Sequence, residues 1–208
     1  MRIEDFIAQV NELINSTSAR ALIGIVGKPG AGKSTIVETI KSHFPQNVIS
    51  IVSMDGFHLS NEILEATGKR ERKGAPDTFD QEGFIALLTH LKTGGEDIHF
   101  PIFHREIEAA IADEGMVPKE VKIVLVEGNY LLSTEFGWEG VRDLLSASYF
   151  LELEDSVRLE RLIARHIKHG KSPEAARAWS LGSDESNARF INSTRHLATA
   201  AINLNPAI

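Results

Sequence analysis

The chain has no cysteine among its 208 residues, which excludes a disulfide framework, a thiolate zinc site and a cysteine nucleophile. Positive charge is in deficit: 22 Lys and Arg against 29 Asp and Glu give a formal net charge of −7. That argues against a protein that wraps nucleic acid, because such binding relies on clustered cations to neutralise phosphates. No apolar run approaches the ~20 residues of a membrane span, and the N-terminus shows no secretory pattern. The expectation is a cytoplasmic protein with a small-molecule substrate and no membrane or nucleic-acid partner, either a monomer or a homodimer. Internal repeats, low-complexity tracts and linkers are also missing. The length suits one unit, residues 1–208, with a small helical lid at about 156–185.

Against these absences stands residues 21–35, ALIGIVGKPGAGKST. They read as an apolar strand, a glycine-rich turn and a helix start, with Gly27, Gly30, Gly32, Lys33 and Ser34 fitting G-x-x-x-x-G-K-S. Glycines let successive backbone N–H groups converge on one anion, and the helix that follows adds the positive end of its dipole. The whole turn (Gly27, Lys28, Pro29, Gly30, Ala31, Gly32, Lys33, Ser34, Thr35) is therefore expected to cradle a triphosphate, ATP. Lys33 would reach the β- and γ-phosphates, and the Ser34 hydroxyl would meet Mg2+.

Helical spacing of apolar residues predicts a covering helix at 3–14, a helix at 35–43 after the turn, and helices at 60–67, 81–92, 156–169 and 173–179. Strands are expected at 48–52, 121–126, 149–153 and 201–204. Asp55 follows the first of these strands, 48–52, at its carboxyl end, where an open parallel sheet places its ligand crevice. Glu127 follows the most apolar strand, a position from which a carboxylate can orient magnesium. Residues 96–120 read as an irregular polar insertion, and Phe103, His104 and Arg105 there are candidates for holding a substrate.

Arg158, Arg161, Arg165 and Lys168 fall near one another on the helix at 156–169. They fit a solvated face paired with neighbouring acids, and equally a set of planar donors for phosphates and for the charge of a transferring group. The basic run 69–73 likewise fits either a solvated loop or part of a binding site.

Several triphosphate chemistries lack their marks: there is no Asn-Lys-x-Asp guanine reader, no Ser-Gly-Gly transporter signature, and no length for the helical domain of a ring-forming ATPase. What remains is a small kinase. Asp55 could accept the attacking hydroxyl's proton or serve as a second magnesium-orienting acid. An accessory ATPase serving a transporter or a signalling partner is the alternative.

Together, the phosphate loop, Met54-Asp55-Gly56-Phe57-His58, Arg72-Lys73-Gly74-Ala75-Pro76-Asp77-Thr78-Phe79-Asp80, Glu127-Gly128-Asn129-Tyr130 and the arginine-rich helix resemble the phosphate-loop kinases of the uridine kinase, bacterial-type pantothenate kinase and phosphoribulokinase group, over roughly residues 20–195. Size and the Glu-Gly-Asn-Tyr element are most similar to a bacterial nucleoside kinase-like, fructose-transport kinase-like subgroup. The resemblance implies a three-layer α/β fold with a mainly parallel sheet and helices on both faces. It implies transfer of the γ-phosphoryl group of ATP to a hydroxyl of a nucleoside, pantothenate-like or sugar acceptor. Asp55, with Lys33, Arg161 and Arg165, is implied to be catalytic, Arg158 to bind phosphate, and Phe57, His58, Lys73, Asp80 and Asn129 to face the substrate. The chain departs from the group at Pro101-Ile102-Phe103-His104, where an acid is usual at the last position.

Overall fold

In the first strand, β1 (Ala21–Val26), all six residues are buried, and the two-residue period of a strand divides them between two cores. Leu22 and Val26 join one core, while Ala21, Ile23 and Ile25 join the other. A strand apolar on both faces belongs in the middle of a sheet covered on both sides. In a computed structural model of the chain, describing residues 1–205, it is the middle strand of five. The last three residues of the expected 1–208 unit lie outside the described residues.

The chain runs α1 (Ile3–Ser16), β1, α2 (Lys33–Ser42), β2 (Ile49–Ser53), α3 (Asn61–Ala66), α4 (Gln81–Thr93), β3 (Ile98–His104), β4 (Ala109–Val117), β5 (Ile123–Gly128), α5 (Val141–Leu144), β6 (Ala147–Glu152), α6 (Asp155–Lys168), α7 (Pro173–Leu181), α8 (Ser183–Ser193) and β7 (Ala200–Asn203). The main sheet has the order β2-β5-β1-β6-β7 with every pair parallel. Phe6 and Val10 of α1 and Ile36, Val37 and Ile40 of α2 cover one face; Phe84, Leu87, Leu88 and Leu91 of α4 and Ile191 of α8 cover the other. This is the three-layer α/β arrangement expected.

The ends of the helices are set locally. Ser172 accepts a hydrogen bond from the Ala175 amide at 3.2 Å and Pro173 opens α7, a side-chain cap followed by the one residue that needs no amide there. The start of α2 differs: it follows Gly32 at φ 91° and carries no capping side chain.

Residues 96–120 are not irregular. They form an antiparallel hairpin, β3–β4, that is a sheet of its own. Two features hide it from sequence patterning: a register shift between Phe100 and Ile102, around Pro101, and an exposed run at 110–114 that erases the alternation of a half-buried strand. The hairpin docks on the turn after β2 through Gly56, where a Cβ would lie 2.1 Å from the Pro101 carbonyl oxygen. Only glycine permits that approach. At the other strand end, Glu127 and Gly128 are the last two residues of β5 and not the loop after it.

The segment 69–80 is shaped rather than solvated. Asp77 pairs with Lys69 and Arg72, the indole N–H of buried Trp138 donates to the Pro76 carbonyl at 2.9 Å, and the Tyr130 hydroxyl donates to the Gly74 carbonyl at 2.6 Å. Among the described residues no helix is long and apolar enough to cross a membrane.

Candidate active site

The carboxyl ends of β1, β2 and β5 open into one cleft of about 630 Å3. Of the expected residues, Pro29, Gly30, Gly32, Lys33, Ser34, Thr35, Asp55, His58, Lys73, Phe103, Arg105, Glu127, Asn129, Arg161 and Arg165 line it.

At the phosphate-loop end, the Lys33 ammonium donates to the Gly27 carbonyl at 2.9 Å and to Asn129 Oδ1 at 2.6 Å. Burial pushes its pKa down to about 8, against the pull of Glu127 and Asp55. The Ser34 hydroxyl meets both carboxylate oxygens of Glu127, at 2.9 and 3.0 Å. Burial, with Asp55 nearby, raises the Glu127 pKa, and Lys33 and Ser34 oppose this. A buried carboxylate with a hydroxyl beside it is a hard-oxygen donor pair of the kind that holds magnesium together with nucleotide phosphates. Among the described residues there is no cluster of three or more His, Asp or Glu able to hold a metal by itself. The site thus fits a cation that keeps most of its other ligands from water and phosphate.

Further out stands Asp55. Burial works against its ionisation, but His58, Arg105, Lys33 and Arg165 together hold its carboxyl below the ordinary range. Arg105 donates to Asp55 Oδ2 at 2.6 Å from the end of the hairpin. His58 makes a 2.8 Å contact through Nδ1 with the Asp55 carbonyl oxygen, and burial lowers its pKa against the pull of Asp55. The imidazole packs between Phe79 and Phe103, with centroids at 4.1 and 4.7 Å.

Four expected residues fall elsewhere, and each has a physical reason. Arg158 is 0% exposed and does not line the cleft. Its guanidinium is taken by Asp155 at 2.8 Å, Glu185 at 2.6 Å and the Pro29 carbonyl at 3.2 Å, so it braces the phosphate loop from behind. Asp80 is exposed and caps α4 by accepting from the Gly83 amide at 2.9 Å. Phe57 is buried edge-on against Phe84. His104 pairs with Glu114 across the hairpin at 2.5 Å and does not line the cleft. Within the loop, Gly27 contributes its carbonyl, Ala31 is packed in the core, and the Lys28 side chain turns to Asp155 at 2.5 Å.

The cleft also contains groups that patterning did not find. Glu108 sits at the hairpin tip with φ 50° and pairs with Arg70 at 2.8 Å. His166 of α6 pairs with Asp184 of α8 at 2.7 Å, and the Lys171 ammonium lies 4.4 Å from the Trp179 ring centre. Arg70 was visible within the basic run. The others come from remote segments, with no local spacing to mark them.

The family model described as Phosphoribulokinase / Uridine kinase family matches residues 22–207. A crystal structure of a candidate fructose transport system kinase from Silicibacter sp. TM1040 is 36% identical, with a TM-score of 0.86 over 97% of this chain and 98% of that one. A candidate uridine kinase, C227.14, from Schizosaccharomyces pombe is 32% identical over 73% of this chain and 68% of its own length. The pantothenate kinase of Brevibacillus brevis is 30% identical over 62% of this chain, but the match spans only 42% of that enzyme. With the phosphate loop, the acid pair and the parallel sheet in place, the match over nearly the whole chain assigns it: this protein belongs to the phosphoribulokinase and uridine kinase family and is an ATP-dependent small-molecule kinase.

Proposed function

We propose that the protein transfers the γ-phosphoryl group of ATP to a hydroxyl of a small metabolite bound at the Asp55 end of the cleft. The observation that carries this reading is that Lys33 and Asp55 line the same cleft, so a triphosphate and an acceptor hydroxyl have adjoining places in it. The uridine and pantothenate kinases among the relatives favour a nucleoside, a pantothenate-like compound or, by the Silicibacter structure, a sugar as the acceptor.

In this reading, the amides of Gly30 to Ser34 and the Lys33 ammonium hold the phosphates. Ser34 and Glu127 would hold Mg2+, which when bound would supply positive charge against the phosphates. Asp55, kept ionised by its cationic neighbours, accepts the hydrogen bond of the acceptor hydroxyl and takes its proton as the bond to phosphorus forms. The bond to the β-phosphate oxygen breaks and ADP leaves. Arg165, half-buried among Asp55, Glu127 and Asp184, and Arg161, whose Nη1 reaches the neighbourhood of Gly32, meet the charge spread over the transferring group. The helical pair α6–α7 acts as a lid that excludes water, because an open site would hydrolyse ATP.

The test is ADP production with a panel of nucleosides, pantothenate and sugars, each against the water background. At least one compound is expected to raise the rate well above that background, and its phosphorylated product is to be identified by mass. ATP turnover that no hydroxyl compound stimulates, but that a protein partner does, would overturn the proposal.

A further inference from the structure

We infer that the acceptor carries an acidic group, a carboxylate or a phosphate monoester, which is held by Lys73, Arg70 and Arg105 at the outer end of the cleft. The inference rests on the kinase reading above and narrows its acceptor.

The starting point is the charge balance of the cavity. Its lining holds seven Lys and Arg against four Asp and Glu, although the chain as a whole is acidic with a net charge of −7. A low-dielectric cleft of one sign concentrates ligands of the other. The triphosphate explains Lys33, Arg161 and Arg165 but not the cations beyond Asp55.

Lys73 is the most informative of these. Its ammonium donates to Asn61 Oδ1 and to the Glu108 carbonyl, both at 2.7 Å. Both partners are neutral, no carboxylate among the described residues forms an ion pair with it, and the third of its donors has no partner there. The charge also lies 5.3 Å from the Phe103 ring centre, at the aromatic wall formed with His58 and Phe79, and burial lowers its pKa. A half-buried cation satisfied only by neutral oxygens is costly unless an anion arrives to pair with it.

Its neighbours support the same class. Arg105 and Arg70 spend Nη2 on Asp55 and Glu108, leaving most of each guanidinium fork open for planar recognition of a carboxylate or phosphate. Both are also more than a third exposed, so the open donors are accessible from the cleft. Asp55 answers Arg105 and Glu108 answers Arg70, so the charge of Lys73 is left without a carboxylate of its own. A neutral sugar or nucleoside would leave that excess unanswered.

The experiment uses the full chain loaded with a non-hydrolysable ATP analogue and magnesium. Binding is measured by calorimetry and thermal shift for matched pairs that differ in one acidic group: pantothenate and pantothenol, glycerate and glycerol, gluconate and glucose. Glycerol 3-phosphate and glucose 6-phosphate form the phosphate arm, and uridine is the neutral ring. In at least one pair the acid should bind about 30-fold tighter or more, and Lys73→Met should reduce that preference about tenfold with nucleotide affinity unchanged. Arg70→Gln serves as a second variant if Lys73→Met fails to fold. The arm that binds distinguishes carboxylate from phosphate. No pair in which the acid binds tighter than its neutral partner, or a preference undiminished in the folded variants, overturns the inference. Turnover is scored separately: a bound acid that is never phosphorylated counts against the kinase reading, and phosphorylation of neutral and acidic partners at equal kcat/KM counts against the acidic group alone.

Discussion

Arg105 and Asp55 are 50 residues apart in the chain, yet Nη2 of one lies 2.6 Å from Oδ2 of the other. The contact joins the separate hairpin to the main sheet at the proposed point of chemistry. It leaves Oδ1 of Asp55 open to a hydroxyl and ties the ionisation of the carboxylate to a residue of the hairpin.

If Asp55 is the base, Asp55→Asn removes it while keeping nearly the same shape. We expect nucleotide affinity to be retained and kcat to fall by about 10² to 10⁴, measured by single-turnover kinetics beside isothermal titration with the ATP analogue. A folded variant with undiminished transfer would remove Asp55 from its role.

The sign of the pH effect follows from the cations around Asp55. Its pKa in the fold lies below the unfolded value of 3.8, so the ionised form, and its contribution to stability, persist above that value and are lost as pH falls through the folded pKa. The acid limb that Asp55 sets in kcat/KM should therefore lie below the usual carboxylate range, apart from the ionisation of Glu127, which burial raises. Arg105→Gln takes away one lowering charge, so the limb should move to higher pH, and kcat at neutral pH should fall about tenfold or more. A pH–rate profile of the two proteins decides it; superimposable acid limbs would contradict the coupling.

Lys33→Ala removes the ammonium held between Gly27 and Asn129. Both nucleotide affinity and turnover should drop, turnover by about 10² or more. Intact affinity and rate together would contradict its placement on the phosphates.

Arg158 and Arg161 lie within one turn of α6 but should behave oppositely. Arg158→Met takes from Glu185 its buried partner, while exposed Asp155 keeps Lys28; the loss should cost about 3 kcal/mol, visible in urea unfolding. Exposed Arg161→Met should leave stability within about 0.5 kcal/mol and lower kcat. Equal stability losses would show that both arginines are structural.

Gly56→Ala tests the docking of the hairpin. A methyl group 2.1 Å from the Pro101 carbonyl must push the hairpin away, at a cost of about 1–3 kcal/mol and with loss of the Arg105 contact. A Tm and acid limb identical to those of the parent would show that the hairpin docks by other means.

How much of this was legible in the sequence depended on how local the cause was. The phosphate loop is a backbone device written in five residues, and the continuous apolar runs of β1 and β5 mark them as strands, whereas their order in the sheet is set by contacts that no local run encodes. Asp80 shows a local signal overridden: an Asp just before a helical pattern is a cap, and the structure uses it as one, whereas similarity to a family motif pointed to substrate. Arg158 shows the opposite limit. A helix with Leu159, Leu162 and Ile163 suggests that its arginines face water, but the buried residues of α6 are Arg158 and Leu162, because Glu185 arrives from α8 to neutralise the charge. The hairpin was unreadable since five consecutive exposed residues in β4 carry no alternation.

The two-stranded hairpin shares no ladder with the five-stranded sheet; its base packs Ile98, Phe100 and Val117 into the main core, and its outer end meets the site through Phe103 and Arg105. In evolutionary terms this makes that outer end a replaceable cassette. Lineages can rewrite Phe103, Arg105 and Glu108 and keep the parallel ladder that aligns the phosphate loop, so that changes of acceptor need not re-solve the problem of handling ATP.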